Sequence, residues 1–174
     1  MKSLKNIVFL GMMGSGKTTI GSLVSKKLCM NFFDVDEYIE KKLGQKISEI
    51  FENNGEKFFR KIEEETTLEI LKKKNIVVAL GGGAFINMMV RREVLKNHIS
   101  FWLKLDDKTI LKRIRKSHKR PIAHSLSKDE LIELIKNRKE IYSKALYSIE
   151  CNNMSKTEIV KEVIYNYENF KINR

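Results

Sequence analysis

The sequence predicts an α/β fold, with a parallel sheet covered by helices on both faces. Three observations carry that expectation. Short apolar runs without polar alternation recur, as in Ile7-Val8-Phe9-Leu10 and Ile76-Val77-Val78-Ala79-Leu80, and such strands belong to sheets buried on both sides. Amphipathic segments at helical spacing lie between these runs. The first strand also leads directly into Gly11-Met12-Met13-Gly14-Ser15-Gly16-Lys17-Thr18, a glycine loop that opens a helix.

Each element has a local reason. Lys5 to Leu10 forms the first strand, and the helix from Thr19 to Leu28 aligns Ile20, Leu23, Val24 and Leu28 on one face. Phe32-Phe33-Asp34-Val35 reads as a short second strand, followed by a helix from Glu37 to Leu43 that Gly44 ends. Ser48 to Phe51 is expected as a helical turn, broken at Asn53-Asn54-Gly55. A long amphipathic helix then runs from Glu56 to Lys73, with Phe59, Ile62, Thr66, Leu68 and Leu71 available for packing. The third strand, Ile76 to Leu80, ends in Gly81-Gly82-Gly83. Met88 to Leu95 is helical, Ser100 to Leu105 is a fourth strand carrying the only tryptophan, Trp102, and Lys108 to Arg115 is helical again. Lys116 to Ser127, polar, basic and interrupted by the only proline, Pro121, reads as a mobile loop. Leu126 to Leu146 is a long helix with Ser127 or Asp129 near its start. Tyr147 to Cys151 is a fifth strand, Asn152-Asn153 a turn, and Lys156 to Phe170 the closing helix. No repeat or linker divides the chain, so one domain is expected.

Composition bounds the function class. With 174 residues, 42% hydrophobic and 32% charged, the chain is long enough for one well-formed core. No apolar run is long enough to span a bilayer, and the N-terminus enters a strand without a signal-peptide layout. Cys29 and Cys151 are isolated thiols outside any metal-ligand spacing. A cytoplasmic location is the expectation. The net charge of +12 comes mostly from lysines scattered over several helices rather than gathered in one stripe. That pattern argues against nucleic acid as the partner, and a positive field suits an anionic nucleotide and an anionic co-substrate equally well.

The chemistry-bearing residues start with the loop. The pattern G-x-x-x-x-G-K-[ST] between strand and helix turns backbone N–H groups toward a phosphate, and the helix dipole adds to the same point. Lys17 is placed to reach the β- and γ-phosphates, and the Thr18 hydroxyl to ligate Mg²⁺. A nucleoside triphosphate is therefore the expected ligand. Asp34 and Asp36, two apart at a strand end, are expected to aim both carboxylates at the rim above the sheet. One carboxylate suits the Mg²⁺ hydration shell and the other a proton from an attacking hydroxyl. The alternative is that Asp36 caps the next helix while Asp34 is a surface charge. Three consecutive glycines after a buried strand are costly in conformational entropy and point to backbone lying against a ligand, the alternative being a tight strand-to-helix turn, which one glycine would usually satisfy. Arg60 with Glu63 three residues later is either a surface ion pair or a guanidinium held ready for a carboxylate. Arg113, Arg120 and Arg138 remain as candidates for anion contact, whereas His98, His118 and His124 form no ligand or triad pattern.

Together these residues resemble the shikimate kinase family. The similar stretches are GMMGSGKTTIG, FFDVDEYIE, ISEIFENNGEKFFRKIE, VVALGGGA, KRP and NRKEIY, in the family's order from Gly11 to about Tyr147. The glycine loop alone is shared by many kinases, including gluconate and nucleoside-monophosphate kinases. The D-x-D, G-E-x-x-F-R-x-x-E and triple-glycine set is specific. The resemblance implies a P-loop NTPase-type three-layer fold with a five-stranded parallel sheet flanked by helices. It implies one kinase domain over 1–174, with a substrate-binding insertion at about 34–63 and a lid at about 113–126. The implied reaction moves the ATP γ-phosphate to the 3-hydroxyl of shikimate, giving shikimate 3-phosphate and ADP in aromatic amino-acid biosynthesis, with Mg²⁺ as cofactor. By the same resemblance Gly14, Ser15, Gly16, Lys17, Thr18 and Thr19 bind ATP, and Arg113 lies against the adenine. Thr18 ligates the metal and Asp34 supports it through water. Asp36 binds the substrate hydroxyls and acts as base, while Arg60, Gly81, Gly82, Gly83 and Arg138 hold shikimate, the two arginines on its carboxylate. Arg120 contacts ATP from the lid and neutralises the transferring phosphate. The implied partners are shikimate and ATP, with neither nucleic acid nor membrane, and the implied state is a monomer. One departure is local: the lid reads Arg120-Pro121-Ile122-Ala123, where the family usually has Arg-Pro-Leu-Leu.

Overall fold

Within residues 5–115 and 126–172, which the computed structural model describes, five short strands form one parallel sheet. In chain order the elements are β1 (Ile7–Leu10), α1 (Lys17–Leu28), β2 (Asn31–Asp34), α2 (Val35–Leu43), α3 (Ile47–Leu71) and β3 (Ile76–Ala79). A 3₁₀ turn (Ala84–Ile86) follows, then α4 (Met88–Asn97), β4 (Ile99–Lys104), α5 (Asp107–Arg115), α6 (Lys128–Tyr142), β5 (Tyr147–Glu150) and α7 (Lys156–Ile172).

The strand order is β2-β3-β1-β4-β5, with Ile7 opposite both Val77 and Ile99. The chain leaves β1 toward one edge of the sheet and leaves β3 toward the other. The loops at the carboxyl ends of these neighbouring strands therefore diverge and open a crevice, the usual ligand position in such sheets. Both loops are glycine-rich. β1 and β3 are fully buried, as continuous apolar strands require. Phe9, Phe101 and Tyr147 make a row of rings across β1, β4 and β5, with centroids 5.8 and 5.1 Å apart.

Several boundaries differ from the sequence expectation, each for a local reason. α2 begins at Val35 instead of Glu37, because the Asp34 side chain accepts from the backbone N–H groups of Asp36 and Glu37 and caps the helix. The capping residue is thus Asp34, not Asp36. The expected turn and the long helix after it run together as α3, and the break falls on Gly55 alone, whose φ of 78° suits glycine. α6 stops at Tyr142 rather than Leu146: the next N–H groups tighten to three-residue bonds (Lys144 to the Ile141 carbonyl, Ala145 to the Tyr142 carbonyl), and the Leu146 N–H donates to the Ser100 hydroxyl of β4 at 2.9 Å. Among the described residues no helix is long and apolar enough to cross a membrane.

Candidate active site

The phosphate loop sits where β1 ends and α1 begins. The N-cap of α1 is Gly16 (φ 97°), with no side chain closing the first turn and no acidic residue in it. Its orphan N–H groups and positive dipole end are left for an anion. Lys17 is buried, its Nζ donating to the carbonyls of Gly11 (2.9 Å) and Met12 (3.0 Å), so the loop itself holds the ammonium. The Ser15 hydroxyl is buried and without a partner among the described residues. Arg113 reaches from α5 and donates from Nη1 to the Gly14 carbonyl at 2.7 Å, which places it on the loop. Gly14 to Lys17 and Arg113, with Thr19, Cys151 and Met154, line a cavity of about 490 Å³. Burial, with Glu162 and Glu150 nearby, pushes the Cys151 thiol up to about 11 and keeps it protonated.

A second cavity, about 580 Å³, opens beside the first and is lined by Asp36, Arg60, Glu63, Gly83 and Arg138 among others. Met13, Phe51 and Phe59 give it an apolar wall. Thr18, Asp34 and Asp36 line both cavities. They form the partition between them. The Thr18 hydroxyl donates to Asp34 Oδ2 at 2.6 Å, while Asp34 Oδ1 caps α2. The alternation argument for the aspartate pair fails in detail. Asp34 ends β2, but Asp36 lies in the first turn of α2, so helix geometry, not strand pleating, brings it to the cavity.

Arg60 is held on two sides. Nη1 donates to Glu63 Oε2 at 2.6 Å, and Nε and Nη2 donate to Glu56 Oε1 at 3.1 Å each. Burial works against the charge, but the two carboxylates outweigh it and raise the guanidinium pKa further. The structure thus favours the held guanidinium over the plain surface pair, since Glu63 is buried. The glycines are where backbone and side chains come too close for a Cβ. One at Gly81 would lie 2.7 Å from Asp36 Oδ1 and press still closer on Glu63 Oε1. One at Gly83 would strike the Arg60 guanidinium. The N–H groups of Gly82 and Gly83 donate to no described residue, which leaves them for a ligand. Arg138, on α6, is only 8% exposed and has no hydrogen-bond or ion-pair partner among the described residues. A buried, uncompensated guanidinium is costly, and it faces the same cavity as Arg60. The two guanidinium groups lining one cavity have the chemistry to hold a carboxylate.

Of the sequence-derived candidates, Gly14, Ser15, Gly16, Lys17, Thr18, Thr19 and Arg113 gather at the first cavity. Asp36, Arg60, Gly83 and Arg138 gather at the second, with Gly81 packed against Asp36 and Glu63 and Gly82 beside it in the loop. Arg120 and the 116–125 stretch of the expected lid lie outside the described residues. Sequence reasoning gave no role to Tyr142, whose hydroxyl donates to the Gly82 carbonyl at 2.5 Å. Its spacing of four from Arg138 was the available signal, since both fall on one helix face.

The shikimate kinase family model matches residues 13–168. The chain belongs to the shikimate kinase family. A shikimate kinase of Thermodesulfovibrio yellowstonii is 40% identical over 166 residues, covering 95% of this chain and 96% of the relative. The Bacillus subtilis shikimate kinase is 41% identical over 162 residues, covering 92% and 87%. Among solved structures, shikimate kinase from Acinetobacter baumannii in complex with shikimate superposes with a TM-score of 0.90 at 32% identity, covering 97% of this chain and 95% of that one.

Proposed function

We propose that the chain transfers the γ-phosphate of ATP to the 3-hydroxyl of shikimate, giving shikimate 3-phosphate and ADP. One observation carries this reading: a phosphate-loop cavity and an arginine-bearing cavity share a wall made of Thr18, Asp34 and Asp36. A donor phosphate on one side and an acceptor hydroxyl on the other meet at that wall, and phosphoryl transfer needs little beyond such positioning and charge neutralisation.

In this reading Gly14 to Thr19 hold the ATP phosphates, with Lys17 turning from the loop carbonyls to the β- and γ-oxygens and Arg113 at the nucleotide. Arg60 and Arg138 take the shikimate carboxylate, and the Gly81-Gly82-Gly83 backbone borders the ring. Asp36 orients the acceptor hydroxyl and accepts its proton as the oxygen attacks phosphorus and the bond to the β-phosphate oxygen breaks. Arg120 is assigned to the transferring phosphate on the family resemblance alone. Thr18 Oγ1 and Asp34 Oδ2, hard oxygens 2.6 Å apart, fit Mg²⁺, which binds through few protein oxygens together with water and phosphate. When bound, the metal would neutralise charge on the β- and γ-phosphates. A single kinase domain, with an insertion near 34–63 and a lid near 113–126, is part of this proposal. So are a cytoplasmic location, which the two free thiols favour, and a monomeric state, which rests on the family resemblance alone.

The test is ADP release from Mg-ATP with shikimate, beside gluconate, AMP and no acceptor. Turnover with shikimate alone is the expected result. ATP binding without shikimate-dependent turnover would leave the phosphate loop in place and remove the acceptor assignment.

A further inference from the structure

Tyr142 is a buried polar side chain that touches both glycine loops. It ends α6, is 1% exposed, and its hydroxyl donates to the Gly82 carbonyl at 2.5 Å. The same oxygen lies 3.9 Å from Met12 Sδ in the phosphate loop, and its ring packs on Trp102 at 6.1 Å. A phenol has one proton, and the short contact assigns it to Gly82; the sulfur is a packing neighbour.

The consequence follows from peptide geometry. In a planar trans peptide the C=O of Gly82 and the N–H of Gly83 point in opposite directions. A Gly82 carbonyl pinned against Tyr142 turns the Gly83 N–H away from Tyr142, and Gly83 itself lines the acceptor cavity beside Arg60. That N–H has no partner among the described residues. Gly82 and Gly83 are the central residues of a turn closed by the Ala84 N–H on the Gly81 carbonyl at 3.1 Å, and with glycine at both positions that closure alone does not choose between the two orientations of the central peptide. The tether from α6 supplies what the glycines lack. Tyr142 stands one helical turn from Arg138 on the same face, so one rigid helix sets both the buried guanidinium and the peptide opposite it.

We infer that Tyr142 is a positioning residue for the acceptor. Its hydroxyl holds the Gly82–Gly83 peptide so that the Gly83 N–H is presented to an oxygen of the acceptor. The inference rests on the acceptor reading given above, and it assigns Tyr142 no contact with the reacting atoms.

The test is Tyr142→Phe, which removes the hydroxyl and keeps the ring, run beside Tyr167→Phe. Tyr167 is an equally buried tyrosine whose hydroxyl meets only the Lys5 carbonyl among described partners, at 3.5 Å, far from the cavities. Loss of one fixed neutral hydrogen bond should raise the shikimate KM about five- to tenfold in Tyr142→Phe, with kcat and the ATP KM within about twofold. Tyr167→Phe should lower only thermal stability. A shikimate KM for Tyr142→Phe within about twofold of wild type, or equal rises in both KM values, would overturn the inference in favour of plain core filling. Should the variant not fold, tetrafluorotyrosine at position 142 gives an isosteric, acidic phenol that stops donating once ionised. Its shikimate KM should then climb with pH relative to wild type, and superimposable profiles would overturn the inference. Wild-type enzyme inert toward shikimate counts against the acceptor reading; active wild type with unaffected variants counts against Tyr142 alone.

Discussion

Gly83→Ala separates stability from binding more cleanly than removal of a charged residue. Gly83 has φ −101° and ψ −17°, a conformation that alanine adopts without strain. The added methyl has one problem, the guanidinium of Arg60, whose Cζ would lie 2.8 Å and Nη2 3.1 Å from it, with Nη1 closer still. Ordinary contact requires the guanidinium to retreat by about 1 Å. The far end of an arginine can make that movement, so the fold should tolerate it. A less flexible unfolded chain adds about 0.4–1 kcal/mol of stability, while loosening the Arg60–Glu63 pair, whose carboxylate is buried, takes back that much or more. The melting temperature should therefore stay level or fall slightly. Binding should not be spared. A charge-assisted contact misplaced by that distance forfeits about 1.5–3 kcal/mol, or about 10- to 100-fold in affinity for the anionic acceptor. Shikimate saturation at saturating Mg-ATP, with calorimetry on the same sample, reads both quantities. An unchanged shikimate KM in a folded Gly83→Ala protein would refute the placement of Arg60 on the acceptor. Combining it with Arg60→Ala should give no further loss, since both act on one contact.

Three further outcomes are expected. Asp36→Asn should abolish turnover, by about 10²-fold or more, while ATP binding measured by calorimetry stays near wild type; near-normal turnover would show that Asp36 is not the base. Lys17→Ala should cripple kcat with a folded protein, and retained kcat would contradict the role given to the loop ammonium. His98 supplies a pH dependence far from the chemistry. Burial lowers its pKa below the ordinary 6.5, against the pull of Glu93 Oε1 at 3.3 Å and with the help of the nearby Lys5 charge. The unfolded chain thus binds the proton more readily, so this contribution to stability is present above about pH 6.5 and is lost as pH falls toward the depressed folded value. Wild-type melting temperature should fall more between about pH 7.5 and 5.5 than that of His98→Asn; parallel curves would remove His98 as a cause.

The sequence alone determined the architecture and the donor half of the site. Unbroken apolar runs can be satisfied only by a sheet covered on both faces, and a glycine loop between strand and helix builds its anion site from backbone within one short stretch. Strand order and register were not legible locally, because nothing in β1 says that β3 and β4 will flank it. The acceptor half was legible as residue types and as a family pattern, yet its assembly was tertiary. Arg60, Gly83 and Arg138 come from α3, the loop after β3, and α6, and only packing brings them to one cavity. Asp36 reached the expected place by a different route, since the Asp34 cap starts α2 two residues early and turns the strand argument into a helix one. Tyr142 was legible only as a neighbour of Arg138 four residues along one helix face. Its partner, the Gly82 carbonyl, is a backbone atom 60 residues away, and no spacing in the sequence encodes a contact between a side chain and a distant peptide.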